Sequence, residues 1–315
     1  MKLGVMIEAQ EGVGWPEWKN ITQWTEELGF ESLWRSDHFF SFGAQRDKLD
    51  ALESFAALTY TASHTSRIRF GPLVLSMTFR HPAMTARMAA AVDSLSGGRF
   101  ILGLGAGWNA PEHEAFGIEL PPPGPRLQAL EDGVNVIKRL FSGEPATYEG
   151  KYYSIKDAPL HPLPVQNPMP ILIGGGGEKK TLRIVARHAN EWNSIGMNPE
   201  RYRAKLDALE AHCQAEKRDP ATIDRSMMCS YITAPTEAEV QKKLDDVLEK
   251  LPNFFRPSRE GGLASLPWLI GTPSQIIETL QALEAQGVSR IMMQHREPPS
   301  REELEFVAQE ILPKA

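Results

Sequence analysis

The chain has 315 residues, of which 42% are hydrophobic and 23% charged, and its formal net charge is −6. This composition is typical of a globular protein that is long enough to bury a large core. Lysine and arginine form no extended cluster, so we expect no nucleic-acid partner. The amino-terminal stretch turns polar after a few residues, and no apolar run approaches the ~20 residues that cross a bilayer. We therefore expect neither a signal peptide nor a membrane partner.

The chain contains two cysteines, Cys213 and Cys229. Their spacing matches no metal site, and we expect both to be buried thiols. So few cysteines are typical of a protein from a reducing compartment, which predicts a cytoplasmic location.

Eight short apolar segments have the pattern of buried strands, and helical patterns separate them. In chain order, the predicted strands are Lys2–Ile7, Phe30–Arg35, Ile68–Leu75, Arg99–Leu104, Ile171–Ile173, Trp192–Ile195, Met227–Thr233 and Arg290–Gln294. The predicted helices are Pro16–Leu28, Ala51–Ala62, Arg80–Leu95, Arg126–Phe141, Lys179–Ala189, Pro199–Cys213, Thr236–Leu251, Pro273–Ala285 and Arg301–Leu312. Such alternation predicts a parallel sheet.

Eight strands in this length predict closure into a (β/α)₈ barrel, a single domain over residues 1–315. An open doubly wound sheet in two domains is the alternative, and the absence of a central linker weighs against it. Irregular insertions are expected at about residues 106–125, 148–170 and 252–268, with a hairpin around Glu149 and Gly150 in the second.

Glycines follow the fourth predicted strand at every second position, as Gly103, Gly105 and Gly107. Because glycine has no side chain, a ligand can approach the backbone at such positions. Barrels build their sites at the carboxyl ends of their strands, where these glycines lie. A dinucleotide-binding fingerprint is excluded, since Trp108 stands where its third glycine belongs. Simple turn chemistry is the alternative explanation.

A second glycine run, Gly174–Gly177, ends the fifth predicted strand and precedes a helix that carries Lys179 and Lys180. Free backbone N–H groups and the positive end of a helix favour an anion, so we predict a phosphate cradle. A flexible turn is the alternative. No Gly-Lys-Ser/Thr sequence follows, which excludes a P-loop.

Asp37 and His38 lie just past the second predicted strand. The pair is a candidate for acid–base chemistry, in which Asp37 holds the imidazole in one tautomer and leaves the other nitrogen for proton exchange. A metal ligand and an ordinary polar loop are the alternatives. Metal is not expected, because Glu112, His113 and Glu114 are consecutive and cannot share one helical face. No Gly-x-Ser-x-Gly motif suggests a nucleophile.

Four segments resemble, in order, the bacterial luciferase-like superfamily of flavin- and deazaflavin-dependent oxidoreductases. They read LGFESLWRSDHF, RIRFGPLVLSMTFRHPAMTARMAAAVDSLSGGRFILGLGAGWNAPEHEAFG, YEGKYYSIKDAPLHPLPVQNPMPILIGGGGEKKTLRIVARHANEWN and GTPSQIIETLQALEAQGVSRIMM. Within the second, GWNAPEHEAFG is most similar to members that use coenzyme F-420 (F420).

The resemblance implies a luciferase-like barrel that transfers a hydride between F420 and a small organic substrate. An FMN-dependent monooxygenase and a non-catalytic flavin-binding barrel are the alternatives. It also implies a non-proline cis peptide at Leu73–Val74, behind the cofactor ring. His38 would donate or accept the proton, beside Asp37, with Glu112 as a competing candidate. The implied cofactor contacts are Leu73, Val74, Ser76, Gly105, Gly107, Trp108, Asn109, Gly174, Gly175, Gly176 and Gly177.

Members of this superfamily often pair through helices near the second and third strands, so the resemblance also implies a homodimer. The segment Met84–Leu95 is more apolar than one barrel face requires. Its alanines at 86, 89, 90 and 91 are expected to allow a partner helix to approach closely.

Overall fold

The computed structural model describes residues 1–43, 48–196, 199–250 and 268–315. The strands are β1 Lys2–Ile7, β2 Ser32–Arg35, β3 Arg69–Pro72, β4 Leu75–Ser76, β5 Leu102–Gly105, β6 Ala146–Glu149, β7 Ser154–Ala158, β8 Ile171–Gly174, β9 Glu191–Ile195, β10 Asp224–Thr233, β11 Leu269–Gly271 and β12 Arg290–His295. The helices are α1 Trp15–Glu27, α2 Ser54–His64, α3 Pro82–Ser96, α4 Ala110–Ala115, α5 Pro123–Leu140, α6 Thr181–His188, α7 Pro199–Ala215, α8 Glu237–Lys250, α9 Pro273–Ala285 and α10 Arg301–Glu310.

The main sheet is parallel and follows the order β3-β2-β1-β12-β10-β9-β8-β5-β4. β3 and β4 are successive parts of the third predicted strand, and both lie beside β5. A bridge between Phe70 and Phe100 joins β3 to the chain entering β5, where the Ile101 amide donates to the Phe70 carbonyl over 2.9 Å. These contacts close the ring, so the predicted (β/α)₈ barrel is confirmed.

Side-chain alternation along the strands produces two apolar layers. The larger core lies between the strands and the surrounding helices. A smaller cluster consists of Met6, Trp34, Leu73, Ile101, Leu172 and Met292. Since Met6 alternates with Val5 and Ile7 of the larger core, this second cluster faces the barrel interior and fills it below the site.

The structure differs from the expected local elements in two places, at residues 106–125 and at β11. Residues 106–125 are not wholly irregular, because they contain α4 and the start of α5 at Pro123. α4 has only six residues, too few for a helical period to appear in the sequence. The expected hairpin is present as β6 and β7, whereas β11 was not predicted. The third expected insertion, at about 252–268, lies outside the described residues except for Trp268.

The alanines of α3 were expected to face outward, but most of them face the interior of the protein. Ala86, Ala89 and Ala90 are fully buried in the protein's own core, and α3 packs there against α2 and α5. Ala91 is the exposed one of the four. The small side chains therefore serve packing within the chain. No helix in the described ranges is both long and apolar enough to cross a bilayer.

Candidate functional site

A cavity of about 1330 Å³ opens at the carboxyl ends of the barrel strands. The predicted site residues that line it are Asp37, His38, Leu73, Val74, Ser76, Gly105, Gly107, Trp108, Asn109, Glu112, Gly174 and Gly175. Gly176 and Gly177 do not line it. The ends of the barrel strands thus bring predicted residues from four separate stretches of sequence to one place.

The third strand is interrupted at Leu73–Val74, and that peptide bond is cis, as predicted. The neighbouring glycines make room for this stretch of chain. A Cβ atom on Gly103 would lie 2.0 Å from the Pro72 carbonyl oxygen, and one on Gly105 would lie 2.6 Å from Val74 Cγ2. The protein's own atoms therefore occupy the space that side chains at these two positions would fill, and of the two glycines Gly105 lines the cavity.

His38 is paired with Glu112. Its Nδ1 lies 2.8 Å from Glu112 Oε2, and the other carboxylate oxygen accepts the Phe39 amide over 2.7 Å. The Glu112 side chain is fully buried, whereas that of His38 is 19% exposed. Within the described chain, His38 Nε2 has no hydrogen-bonding partner. Glu112 therefore fixes the ring and leaves Nε2 for exchange with a ligand.

The pairing shifts both pKa values. Burial opposes protonation of the imidazole, but the hydrogen bond to Glu112 and its negative charge leave the pKa of His38 raised. Burial alone would raise the pKa of Glu112, but the bonds from His38 and the Phe39 amide lower it. The shifts favour an imidazolium–carboxylate pair near neutral pH. His38 is thereby placed to exchange a proton in the physiological range.

Asp37 has a different partner from the one expected. Its carboxylate receives two hydrogen bonds from Arg80, of 2.6 and 2.9 Å, and one of 3.3 Å from the Ser76 amide. Arg80 also binds Glu53 over 2.7 Å. The expectation that Asp37 holds the His38 ring is therefore wrong, because Arg80 binds that carboxylate. Asp37 instead joins the end of β2 to β4 and to the chain entering α3.

Aromatic rings surround His38 on the cavity side. The imidazole makes edge contacts with Phe42 and Trp108, at centroid distances of 4.6 and 5.6 Å. Phe42 and Trp108 also touch each other, and Trp108 is 57% exposed. The three rings form a wall against which a planar ligand can pack.

The second glycine run passes from the cavity to a neighbouring groove. Gly174 and Gly175 line the cavity, whereas Gly177 lines a groove of about 500 Å³. The amides of Gly176 and Gly177 donate to no acceptor among the described residues. Gly175 has a φ of 123°, a backbone conformation that favours glycine. Two free N–H groups near the start of α6 form the type of cradle that binds an anion.

Lys179 and Lys180 lie in the groove beyond this cradle. Both are exposed, and neither forms an ion pair with a described residue. Leu127 and Thr181 line both the cavity and the groove, so the two spaces adjoin. A ligand anchored in the cavity can therefore extend past the glycines to Lys179 and Lys180, in a groove that Glu178, the ion-pair partner of Lys205, also lines.

A polar wall on the opposite side was missed by the sequence analysis. Ser230 donates to Gln294 Oε1 over 2.5 Å, and Gln294 donates to Glu8. Arg296 donates to Ser230 over 3.3 Å. His295 lies beside them, half-buried, and burial lowers its pKa to about 3. Glu8 follows β1, and Gln294 and His295 end β12, so a list of all eight strand ends would have included these three residues. Ser230 lies within β10, three residues before its end.

The unused donors of the site fit a cofactor with an anionic arm. Asn109 Nδ2 is buried and has no hydrogen-bond partner among the described residues, and Asn109 lines the cavity. The free amides of Gly176 and Gly177 supply the anion-binding donors. Within the described part of the chain, no three His, Cys, Asp or Glu side chains are grouped so as to hold a metal ion.

A family model described as luciferase-like monooxygenase matches residues 1–290. A protein of Kineococcus radiotolerans named F420-dependent glucose-6-phosphate dehydrogenase is 29% identical over 302 residues, which is 90% of this chain and 87% of the relative. A protein of the same name from Microbacterium testaceum is 37% identical over 183 residues. The match covers 58% of this chain and 53%, about half, of that relative.

Other similar proteins carry different names. An FMNH(2)-dependent dimethylsulfone monooxygenase of Pseudomonas putida is 24% identical over 325 residues, which cover 94% of this chain and 86% of that relative. The solved F420-dependent tetrahydromethanopterin reductase of Methanopyrus kandleri superposes with a TM-score of 0.78 at 21% identity, covering 99% of this chain and 98% of that one. That structural likeness supports the fold.

Proposed function

The chain belongs to the luciferase-like monooxygenase family, and we propose that it is an F420-dependent oxidoreductase that transfers a hydride between this deazaflavin and a small organic substrate. The observation that carries the proposal is the His38–Glu112 pair, which leaves one imidazole nitrogen unpaired within the described chain, in the cavity that Gly174 and Gly175 also line. The expectation of an oxidoreductase is confirmed, since the relatives are named as dehydrogenases and monooxygenases. An FMN-dependent monooxygenase is the second candidate, supported by the Pseudomonas relative.

The groove beyond the glycines favours F420 over FMN. FMN ends at its phosphate, whereas F420 continues beyond the phosphate as a chain that carries carboxylates. Gly176 and Gly177 would hold the phosphate through their free amides. Lys179 and Lys180 lie next along the groove, where carboxylates of a longer cofactor would meet them. Asn109 and Ser76 would face the ring, with Trp108 beside it.

His38 would move the proton that accompanies hydride transfer. Bound F420 would supply or accept the hydride. When a substrate hydroxyl is oxidised, its proton must leave the oxygen, and a neutral His38 accepts it at Nε2. In the reverse direction, protonated His38 returns a proton to the carbonyl oxygen. Glu112 stabilises the charged form and holds the ring orientation through Nδ1. The aromatic wall of Phe42 and Trp108 excludes water from one side of the imidazole.

The test is an equilibrium titration of the protein with F420, with FMN and with the deazaflavin riboside that lacks the phosphate. We expect F420 to bind most tightly, because only F420 reaches both the glycine amides and the lysines. Tighter binding of FMN than of F420 would favour the monooxygenase candidate. Binding of the riboside as tightly as F420 would contradict the proposed cradle.

Gly176→Asp is expected to weaken F420 binding by about 10-fold or more. Like charges about 4 Å apart repel by about 1 kcal/mol in water and about 4 kcal/mol near a protein surface. A Cβ atom on Gly176 would meet only Lys205 Cε, at 3.7 Å, so a side chain fits without a clash. Gly176→Asn is the matched control, with the same shape and no charge. Equal affinities of the Asp and Asn variants would rule out an anion at this position.

We also propose a homodimer that pairs through α3. Met84 and Leu95 are each 53% exposed on that helix, and Arg87 and Ala91 lie between them on the outer surface. Burial of two large apolar side chains would stabilise the contact. One chain has a mass of 35.1 kDa. Light scattering is expected to give twice that mass for the unmodified protein and the mass of one chain for Met84→Asp. A single-chain mass for the unmodified protein would contradict the dimer.

A single-domain organisation and a cytoplasmic location remain proposals. The first is supported by the closure of one barrel from both ends of the sequence, since β1 pairs with β12. The second is supported by the cysteines, as Cys213 and Cys229 are free and buried. Burial raises the pKa of the Cys229 thiol to about 12, so this thiol is unreactive at neutral pH.

A further inference from the structure

A chain of hydrogen bonds runs behind the cavity from a backbone carbonyl to Ser76. His113 Nδ1 lies 2.6 Å from the Asn109 carbonyl oxygen, and His113 Nε2 lies 2.7 Å from Thr78 Oγ1. Thr78 Oγ1 lies in turn 2.7 Å from Ser76 Oγ. His113 is only 2% exposed, and Ser76 lines the cavity. The chain therefore connects a buried imidazole to a hydroxyl on the cavity surface.

With His113 as a neutral imidazole, the chemistry of these groups sets the direction of every bond. A carbonyl oxygen can only accept, so His113 Nδ1 must carry the hydrogen. The other nitrogen of a neutral imidazole is then an acceptor, and it takes the hydrogen of Thr78. Thr78 Oγ1 is left to accept the hydrogen of Ser76. The Ser76 oxygen consequently has its hydrogen directed away from the cavity and can offer only lone pairs to a ligand.

Gly107 leaves room for this arrangement, because a side chain at this position would clash with it. Its φ is 81°, and a Cβ atom there would lie 2.5 Å from Ser76 Oγ and 2.8 Å from Thr78 Oγ1. The Ser76 amide is also held, through its hydrogen bond to the Asp37 carboxylate. Both the backbone and the hydroxyl of Ser76 are therefore fixed by neighbouring groups.

We propose that His113 and Thr78 are positioning residues that set Ser76 as an obligate hydrogen-bond acceptor, which selects a ring N–H group of the cofactor. The inference rests on the proposed function, because a flavin-type ring carries such N–H groups on its pyrimidine edge. A serine whose hydrogen were free could donate or accept and would discriminate less. The fixed chain of hydrogen bonds leaves Ser76 only the role of acceptor.

The test is a double-mutant cycle of F420 affinity at pH 8, read by equilibrium titration and by the absorption spectrum of the bound cofactor. Ser76→Ala removes the acceptor and is expected to weaken binding by about 2- to 12-fold, the equivalent of one neutral hydrogen bond. Thr78→Val keeps the shape but breaks the chain, and we expect a measurable loss that does not exceed that of Ser76→Ala, because the freed Ser76 hydroxyl can still accept. Because Thr78 acts through Ser76, adding Thr78→Val to Ser76→Ala is expected to cause no further loss.

Thr78→Ser is the conservative control, expected to restore both the affinity and the spectrum. Thermal unfolding of each variant measures any structural cost separately. Additive losses of affinity in the double variant, or an unchanged affinity of Thr78→Val, would overturn the positioning role while leaving the proposed function intact. Failure of the unmodified protein to bind F420 or FMN would overturn the proposed function, and this inference with it.

Discussion

Replacement of His38 by alanine is expected to lower kcat by about 10²- to 10⁴-fold, the usual contribution of general acid–base catalysis. The affinity for the cofactor is expected to change far less, because the anion cradle lies on other elements, at Gly176 and Gly177. His38 Nε2 has no partner among the described residues and faces the cavity that would hold the substrate. Steady-state kinetics and cofactor titration on the same variant separate the two effects.

His38→Gln separates proton transfer from hydrogen bonding. Glutamine keeps a polar group at the position but cannot take up a proton between pH 6 and 8. We expect this variant to be nearly as slow as His38→Ala. Full turnover of His38→Gln across that pH range would show that His38 is not the proton carrier.

Glu112→Gln is expected to move the pH profile of the same reaction. The carboxylate of Glu112 raises the pKa of His38. In the direction that oxidises a hydroxyl, His38 must be neutral, so activity increases as the pH rises through this raised pKa. Loss of the negative charge lowers the pKa, and the rising limb is expected to shift to lower pH. A limb that stays in place would show that Glu112 does not set the titration of His38.

Regular elements were predicted well where the chain alternates between buried apolar runs and helical periods. β1 and α9 have the predicted bounds, since an apolar run and a proline-led helix mark their ends clearly. The break between β3 and β4 could not be derived from periodicity. Leu73 and Val74 are as apolar as a continuous strand would require, and only the family resemblance pointed to them.

The site was predicted in its location but not in its pairings. The ends of the strands supplied His38, Ser76 and Asp37, because the barrel topology brings those ends together. The partner of His38 is 74 residues away, on a helix too short to be detected. The sequence contains no signal that assigns Glu112 to His38, because α4 lies outside the periodic pattern. The pairing of Arg80 with Asp37 depends on how the chain entering α3 meets the end of β2, which periodicity does not show.

The opposite end of the barrel contains a buried ion cluster. Arg290, at the start of β12, donates to both carboxylate oxygens of Glu31 over 2.9 Å and to Glu191. Arg290 and Glu191 are each 4% exposed, and the guanidinium lies over the Trp34 ring. Burial opposes the charge of Arg290, but the two carboxylates raise its pKa. The cluster connects β12, β9 and the chain entering β2 at the end of the barrel away from the site.

Arg290→Met is therefore expected to lower the free energy of unfolding by about 3–5 kcal/mol, because it leaves the buried carboxylate of Glu191 and the partly buried carboxylate of Glu31 without their cation. Denaturant titration at pH 8 measures the loss. Arg203→Met is the matched control. Arg203 binds Asp207 over 2.6 Å on the exposed face of α7, where an ion pair contributes about 0–1 kcal/mol. A loss in Arg290→Met no larger than that of the control would contradict a structural role for the cluster.

The loss is also expected to depend on pH in a definite direction. In the unmodified protein Arg290 lowers the pKa of Glu31 against the effect of burial, so this stabilisation is present at neutral pH and disappears as the pH falls through the lowered pKa. Without Arg290, burial still opposes the charged form of Glu31, and protonation of that carboxylate relieves the penalty as the pH falls. The difference between the two proteins is therefore expected to be smaller at pH 5 than at pH 8. A constant difference would show that lost packing over Trp34, rather than unpaired charge, causes the destabilisation.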